Sequence, residues 1–105
     1  MSFCLIILAG GNSHRFRSKI GKPYQKLAGK SLIEINLIKA RKFKEIKKII
    51  LVYNKKDLKR VKLLKLNNVK LIPGGKSRQQ STFNALKYLT KQKGISKVLI
   101  HDVAR

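Results

Sequence analysis

Short apolar runs alternate with stretches of helical spacing along the chain. The runs cover residues 5–8, 46–53, 69–72 and 98–100, and helical periodicity fills the intervals that follow residues 31, 57 and 77. Apolar strands that alternate with helices are typical of a parallel sheet covered by helices on both faces. The pattern therefore predicts the order βαβαβαβ and an α/β fold with an open, mostly parallel sheet.

Each predicted helix has a start signal and a predicted inward face. Ser31 and Glu34 form a capping box for a helix that reaches about Lys42, while Asp57 and Ser77 are candidate N-caps for the next two. The third helix is expected to end near Gly94. The inward positions predicted from the spacing are Leu32, Ile35, Ile38 and Ala40 in the first helix, Leu58, Val61, Leu64 and Leu66 in the second, and Thr82, Ala85, Leu86 and Leu89 in the third.

Three polar or glycine-rich segments follow the predicted strands, at residues 9–22, 73–81 and 101–105. In open parallel sheets, ligands bind beyond the carboxyl ends of the strands. We therefore expect these three segments to meet in one ligand site.

The first of these segments has the composition of a phosphate-binding loop. Gly10 and Gly11 allow a sharp turn with uncovered N–H groups, and Arg15 and Lys22 add positive charge. The loop matches neither the P-loop nor the G-x-G-x-x-G fingerprint, because glycines are missing at the required positions. A plain turn is the alternative.

The second segment opens the third helix. A glycine turn followed by an N-cap explains Gly75 and Ser77, but it does not require Arg78 or Ser81. Ser81 lies one turn into the helix, where its hydroxyl is available to a base or a ribose.

The third segment places Asp102, one of four acidic residues, at the end of the last strand. A carboxylate there suits Mg²⁺, which binds through one or two carboxylates plus substrate phosphates. A helix N-cap is the alternative. His101 is expected on the opposite face of the strand, and His14, His101 and Cys4 lack zinc-ligand spacing.

The chain has 105 residues and a net charge of +22, from 26 Lys and Arg against 4 Asp and Glu. The cations are spread along the chain and most are lysine, which favours a solvated coat over a nucleic-acid surface. A single cysteine excludes a disulfide within the chain, and no apolar run is long enough to span a membrane. We expect one domain at most and a cytoplasmic location.

The motifs resemble known nucleotidyltransferases. Leu8-Ala9-Gly10-Gly11, followed by Arg15 and Lys22, is similar to the signature of enzymes that make NDP-sugars and NDP-alditols. The later motifs are more specific. Gly74-Gly75-x-x-Arg78-x-x-Ser81 and His101-Asp102-x-Ala104-Arg105 resemble the 2-C-methyl-D-erythritol 4-phosphate cytidylyltransferase family of the non-mevalonate isoprenoid pathway.

This resemblance implies a Rossmann-like, nucleotide-diphospho-sugar transferase-like fold and a reaction in which an alditol phosphate attacks CTP, with Mg²⁺, to release pyrophosphate. It implies catalytic roles for Arg15 and Lys22, a metal ligand in Asp102 and a substrate contact in Arg105. The nucleotide-binding residues it implies are Ala9, Gly10, Gly11, Gly75, Arg78 and Ser81.

The chain departs from the family pattern at several positions. Gly10 and Ser13 replace a usual alanine and glycine, the residues beside Lys22 differ, and Lys76 stands where an acidic residue is common. The chain is also short for the family. We therefore expect residues 1–105 to be the N-terminal, nucleotide-binding part of one cytidylyltransferase domain, truncated after the fourth strand and dimeric when complete.

Three alternatives remain at this point. Ribitol-phosphate cytidylyltransferases share these motifs, and so does the beginning of bifunctional forms that carry a fused cyclodiphosphate synthase. A basic, non-enzymatic nucleic-acid-binding module is the alternative of another class. It explains the charge but leaves Arg15, Lys22, Arg78 and Asp102 unexplained.

Overall fold

A computed structural model describes residues 2–9, 26–27, 29–92 and 94–103. Its strands are β1 (Phe3–Ala9), β2 (Lys26–Leu27), β3 (Lys30–Ser31), β4 (Ile46–Tyr53), β5 (Val69–Pro73) and β6 (Lys97–Asp102). Its helices are α1 (Leu32–Ala40), α2 (Leu58–Leu63) and α3 (Arg78–Leu89), with a 3₁₀ turn at Lys55–Asp57 before α2. The four predicted strands and three predicted helices are therefore present, in the predicted order.

The main sheet contains four parallel strands in the order β5-β4-β1-β6. The chain builds the sheet outward from β1 through β4 to β5, and then crosses back to place β6 on the other side of β1. The direction of strand order thus reverses at β1, which makes the gap between the ends of β1 and β6 a topological switch point. The short strands β2 and β3 form a separate antiparallel pair.

Helices cover both faces of the sheet. On one face, α1 and α2 pack against alternate residues of β1 and β4, including Leu5, Ile7 and Leu51. On the other, Ala85 and Leu89 of α3 pack against the intervening residues of the same strands. This division follows from right-handed crossovers, because the crossover that returns to β6 must pass over the opposite face.

The inward face predicted for α1 is confirmed at Ala40 and is wrong in phase at the other three positions. The buried residues are Ile33, Leu37 and Ala40, whereas Leu32 and Ile35 are half-buried and Ile38 is 42% exposed. The capping box is confirmed, because Ser31 Oγ accepts from the Glu34 N–H and the Glu34 carboxylate accepts from the Ser31 N–H. A nine-residue helix can pack on the sheet with about one buried residue per turn. In α1 these residues are Ile33, Leu37 and Ala40.

The other two helices also differ from their predictions. Asp57 occupies the N-cap position of α2 but makes no side-chain capping bond, and Asn54 caps the preceding 3₁₀ turn. Of the residues predicted to face inward in α2, only Val61 is buried. In α3 the Ser77 cap is confirmed and the buried residues are Ser81, Ala85 and Leu89, but Leu86 is exposed. This helix ends at Leu89, and Gly94 lies beyond it with a φ of +87°.

The apolar run of β6 is only partly buried. Val98, Leu99 and Ile100 are 37%, 45% and 42% exposed. Among the described strands, β6 pairs on one side only, with β1. The edge position of β6 among the described strands accounts for this exposure.

Candidate functional site

The carboxyl ends of β1 and β6 meet at the switch point. Leu8 of β1 is in register with Asp102 of β6, and the N–H of Val103 donates to the Leu8 carbonyl at 3.1 Å. Ala9, the last residue of β1, is buried. The last described residues of β1 and of the third polar segment therefore lie side by side at this edge.

The loop at residues 74–77 joins β5 to α3 at the same edge. The Gly74 N–H donates to the Tyr53 carbonyl at 2.7 Å, and the Gly75 N–H donates to Ser81 Oγ at 3.1 Å. The Ser77 hydroxyl accepts from the Gln80 N–H at 3.0 Å. The loop is thus fastened to β4 on one side and to the first turns of α3 on the other.

Close approach explains both glycines of this loop. A Cβ at position 74 would lie 2.7 Å from Ser81 Oγ, and a Cβ at position 75 would overlap the Gln80 side chain. Ser81 is 5% exposed and lies beneath the loop. Its hydroxyl accepts from Gly75 and keeps a proton to donate, so a contact with a ligand and a structural bond to the loop are compatible.

Arg78 and Asp102 are brought together by the fold. Nε of Arg78 lies 3.2 Å from each carboxylate oxygen of Asp102, and Nη2 lies 3.2 Å from Oδ2. The Asp102 side chain is 20% exposed and that of Arg78 is 54% exposed. This ion pair links the first residue of α3 to the last residue of β6, and the spacing of these residues in the sequence did not indicate it.

His101 faces away from Asp102, as predicted from strand alternation. Its Nε2 lies 2.8 Å from Oδ1 of Asn36 on α1, whose Nδ2 donates to the Leu32 carbonyl at 2.8 Å. His101 is therefore not hydrogen-bonded to the carboxylate beside it in the chain. Asn36 was missed in the sequence, because an asparagine within a helix gives no signal of a partner on a distant strand.

Several predicted site residues lie outside the part of the chain that the structure describes. They are Gly10, Gly11, Arg15, Lys22 and Arg105. Their roles stay predictions. Ala9 is the last described residue before Gly10 and Gly11, and Val103 is the last described residue before Arg105. Both Ala9 and Val103 lie at the switch point.

Cys4 lies away from this edge, near the beginning of β1, and is fully buried. Burial raises the pKa of its thiol to about 11, and the nearby Lys48 ammonium acts in the opposite direction. A thiol held protonated in the core is inert at neutral pH, so Cys4 is a packing residue.

The family model for 2-C-methyl-D-erythritol 4-phosphate cytidylyltransferase, IspD, matches residues 3–105. The chain belongs to this family. The match confirms the resemblance that the second and third motifs indicated.

Relatives and solved structures agree with this assignment. The chain is 46% identical over 105 residues to the bifunctional enzyme IspD/IspF of Pelagibacter ubique, covering 100% of this chain and 28% of that protein. It is 36% identical to the bifunctional ribulose 5-phosphate reductase/CDP-ribitol pyrophosphorylase Bcs1 of Haemophilus influenzae, covering 95% of this chain and 22% of that protein.

The 4-diphosphocytidyl-2C-methyl-D-erythritol synthase of Anaerococcus prevotii has the same fold, with a TM-score of 0.77 and 34% identity over 99% of this chain and 44% of that one. This likeness confirms the predicted fold class. The chain spans less than half the length of each of these three proteins.

No helix in the described ranges is both long and apolar enough to cross a membrane.

Proposed function

We propose that the protein containing this chain transfers the cytidylyl group of CTP to 2-C-methyl-D-erythritol 4-phosphate in non-mevalonate isoprenoid synthesis. A phosphate oxygen of the acceptor bonds to the α-phosphorus of CTP, and the bond from that phosphorus to the bridging oxygen breaks to release pyrophosphate. The observation that carries the proposal is the meeting of the 74–81 segment with the end of β6, beside the end of β1, in a chain of this family.

In this proposal the site binds the nucleotide in two parts. Gly75 and Ser81 hold the cytidine, supported by the loop bonds that fix both residues. Ala9, Gly10 and Gly11 hold the triphosphate, and Arg105 contacts the acceptor. Arg15 and Lys22 stabilise the charge that develops at phosphorus, which is the main demand of a reaction that depends on positioning and electrostatics.

Asp102 is the described residue that fits a magnesium ion. Its carboxylate oxygens are hard donors, they are partly exposed, and they lie at the switch point where the triphosphate would bind. In the described ranges no three His, Cys, Asp or Glu residues cluster as a metal site, so the nucleotide phosphates would complete the coordination. A bound Mg²⁺ would neutralise phosphate charge.

A second acceptor, ribitol 5-phosphate, is the specific alternative. It is favoured by the 36% identity to the Haemophilus protein named as a CDP-ribitol pyrophosphorylase. A homodimer, which the family resemblance implies, and a cytoplasmic location belong to the main proposal. Nucleic acid is not proposed as a partner.

Pyrophosphate release by the natural gene product that contains this chain tests the proposal. CTP or ATP is paired with 2-C-methyl-D-erythritol 4-phosphate or ribitol 5-phosphate, and the pair of CTP with the methylerythritol phosphate is expected to give the highest kcat/KM. Preference for ribitol 5-phosphate would select the alternative. Equal use of CTP and ATP would overturn the cytidylyl assignment.

Two variants test the catalytic roles in the same assay. Arg15→Ala and Lys22→Ala are expected to lower kcat about 10²–10³-fold with a smaller effect on CTP affinity, because they act on transition-state charge. Lys19→Ala removes the same charge three residues before Lys22 and serves as the control. Near-normal turnover in both test variants would contradict the roles assigned to them.

A further inference from the structure

The ion pair between Arg78 and Asp102 puts a cation on the carboxylate to which the proposed function assigns the metal. Both oxygens of Asp102 accept from the guanidinium, through Nε and Nη2. A guanidinium and a divalent cation repel each other, so they cannot both lie against one carboxylate without an energetic penalty.

The geometry of this pair favours exchange over permanent pairing. All three N···O distances are 3.2 Å, longer than the 2.7–2.9 Å typical of strong charge-assisted bonds. The Arg78 side chain is more than half exposed, and exposed ion pairs are weak. Arg78 can therefore move into solvent while α3 stays in place, because the Ser77 cap and the Gly75–Ser81 bond hold the start of that helix independently.

We propose that Arg78 is a resident counter-ion of Asp102 and competes with a divalent cation for it. Arg78 positions the carboxylate and neutralises it before the nucleotide arrives, and it leaves when the metal–nucleotide complex binds. The carboxylate is then neutralised in both states. The biological meaning of this exchange rests on the proposed function, but the competition itself is a property of the two side chains and does not require CTP.

Paramagnetic broadening by MnCl₂ tests the competition on the ¹⁵N-labelled chain without nucleotide. The signals followed are the amides of Asp102 and Val103, and the quantity compared is the Mn²⁺ concentration that halves their intensity. The variants are Arg78→Gln, which removes the guanidinium, and Arg78→Lys, which keeps the charge. Lys76→Gln removes one charge from the same loop and is the matched control, while Asp102→Asn removes the ligand.

The midpoint is expected to fall about three- to fivefold in Arg78→Gln relative to Lys76→Gln, the size of effect expected when a weak ion pair no longer competes. Arg78→Lys is expected to stay within about twofold of the parent chain, and Asp102→Asn is expected to lose the broadening. A midpoint in Arg78→Gln equal to or above that of the control would overturn the proposal. Absence of broadening in Arg78→Gln would also overturn it.

A second measurement needs no substitution at Arg78. The ¹⁵Nε–H signal of Arg78 in the parent chain is followed as MgCl₂ is added, and it is expected to move toward its position in Asp102→Asn. A signal that does not move at saturating Mg²⁺ would show that the guanidinium stays on the carboxylate. Neither readout involves turnover, so failure of the competition and failure of the cytidylyl assignment are distinguishable.

Discussion

Ser81 combines two tasks in one hydroxyl group. The sequence places Ser81 one turn into α3, where its hydroxyl is expected to be available to a base or a ribose. The structure shows that Ser81 is buried and that its hydroxyl accepts from the Gly75 N–H. The loop geometry that would receive the cytidine therefore depends on the residue that would contact it. Mutations at Ser81 will affect folding and binding together.

Ser81→Ala is expected to lower the free energy of unfolding by about 0.5–1.5 kcal/mol, because the partly buried hydrogen bond from the Gly75 N–H loses its acceptor. Urea unfolding measures the change. Thr82→Ala is the control, since its hydroxyl bonds only to the Arg78 carbonyl within the helix and a smaller loss is expected. Amide exchange at Gly75 should accelerate in Ser81→Ala alone. Unchanged protection of that amide would contradict the assigned bond.

The sequence predicted the role of a residue where its partner lies nearby in the chain. It did not predict contacts between residues that are far apart in the chain. Ser31, Glu34 and Ser77 were identified because their partners lie within three positions of them. Arg78 and Asp102 were both expected at the same edge of the sheet, but their contact joins positions 24 apart. The contact depends on the path by which the chain crosses through α3 from β5 to β6. No spacing of residues in the sequence predicts that path.

At the scale of elements, the strands followed the sequence more closely than the helices did. β4 spans the predicted residues, because a run of branched apolar residues in a buried parallel strand has few alternatives. Helix α1 contains apolar residues at 32, 33, 35, 37, 38 and 40, which offer two overlapping stripes. Packing against β1 and β4 determines which stripe faces the sheet, and that packing is tertiary information.

The two stripes of α1 make a direct test. Ile33→Ala is expected to lower the free energy of unfolding by about 2–5 kcal/mol, because it leaves a cavity among fully buried neighbours. Ile38→Ala makes the same chemical change at an exposed position on the same helix and is expected to cost less than about 1 kcal/mol. Thermal or urea unfolding of both variants measures the difference. A larger loss in Ile38→Ala would mean that the structure has the helix in the wrong phase.

At the scale of the whole molecule, charge and edge exposure oppose each other. The net charge of +22 keeps copies of the chain apart, whereas Val98, Leu99 and Ile100 present an apolar strand that is partly open to solvent. The balance depends on ionic strength, because the Debye length falls from about 30 Å at 0.01 M salt to about 8 Å at 0.15 M.

The chain is therefore expected to associate as salt is raised, with light scattering reporting the mean mass across the series. Leu99→Lys places a charge on the exposed strand and is expected to suppress the association. Leu63→Lys adds the same charge at a leucine that is 78% exposed on α2 and is expected to leave the salt response unchanged. A constant mass at all salt concentrations in the parent chain would contradict the prediction.

The overall architecture was predictable because alternating strands and helices with right-handed crossovers allow few arrangements. The apolar run of β6 alone does not show how much of the strand is exposed, since such a run looks the same whether a neighbouring element covers it or not. The pattern of apolar residues predicts whether a segment is a strand or a helix. Only the assembled sheet shows how much of that segment is buried.

The pairing of β1 with β6 also sets an order of events during synthesis. β1, β4 and β5 can pair while the chain is still growing, but β6 returns to a strand made more than ninety residues earlier, and Ser96 bonds to the Ser2 carbonyl at 2.9 Å across that distance. Closing so long a loop costs entropy before any contact compensates it, and such pairings slow folding. Among the described strands of the main sheet, β6 is therefore expected to pair last. The edge at which β1 and β6 end side by side forms only after residues 97–102 have left the ribosome.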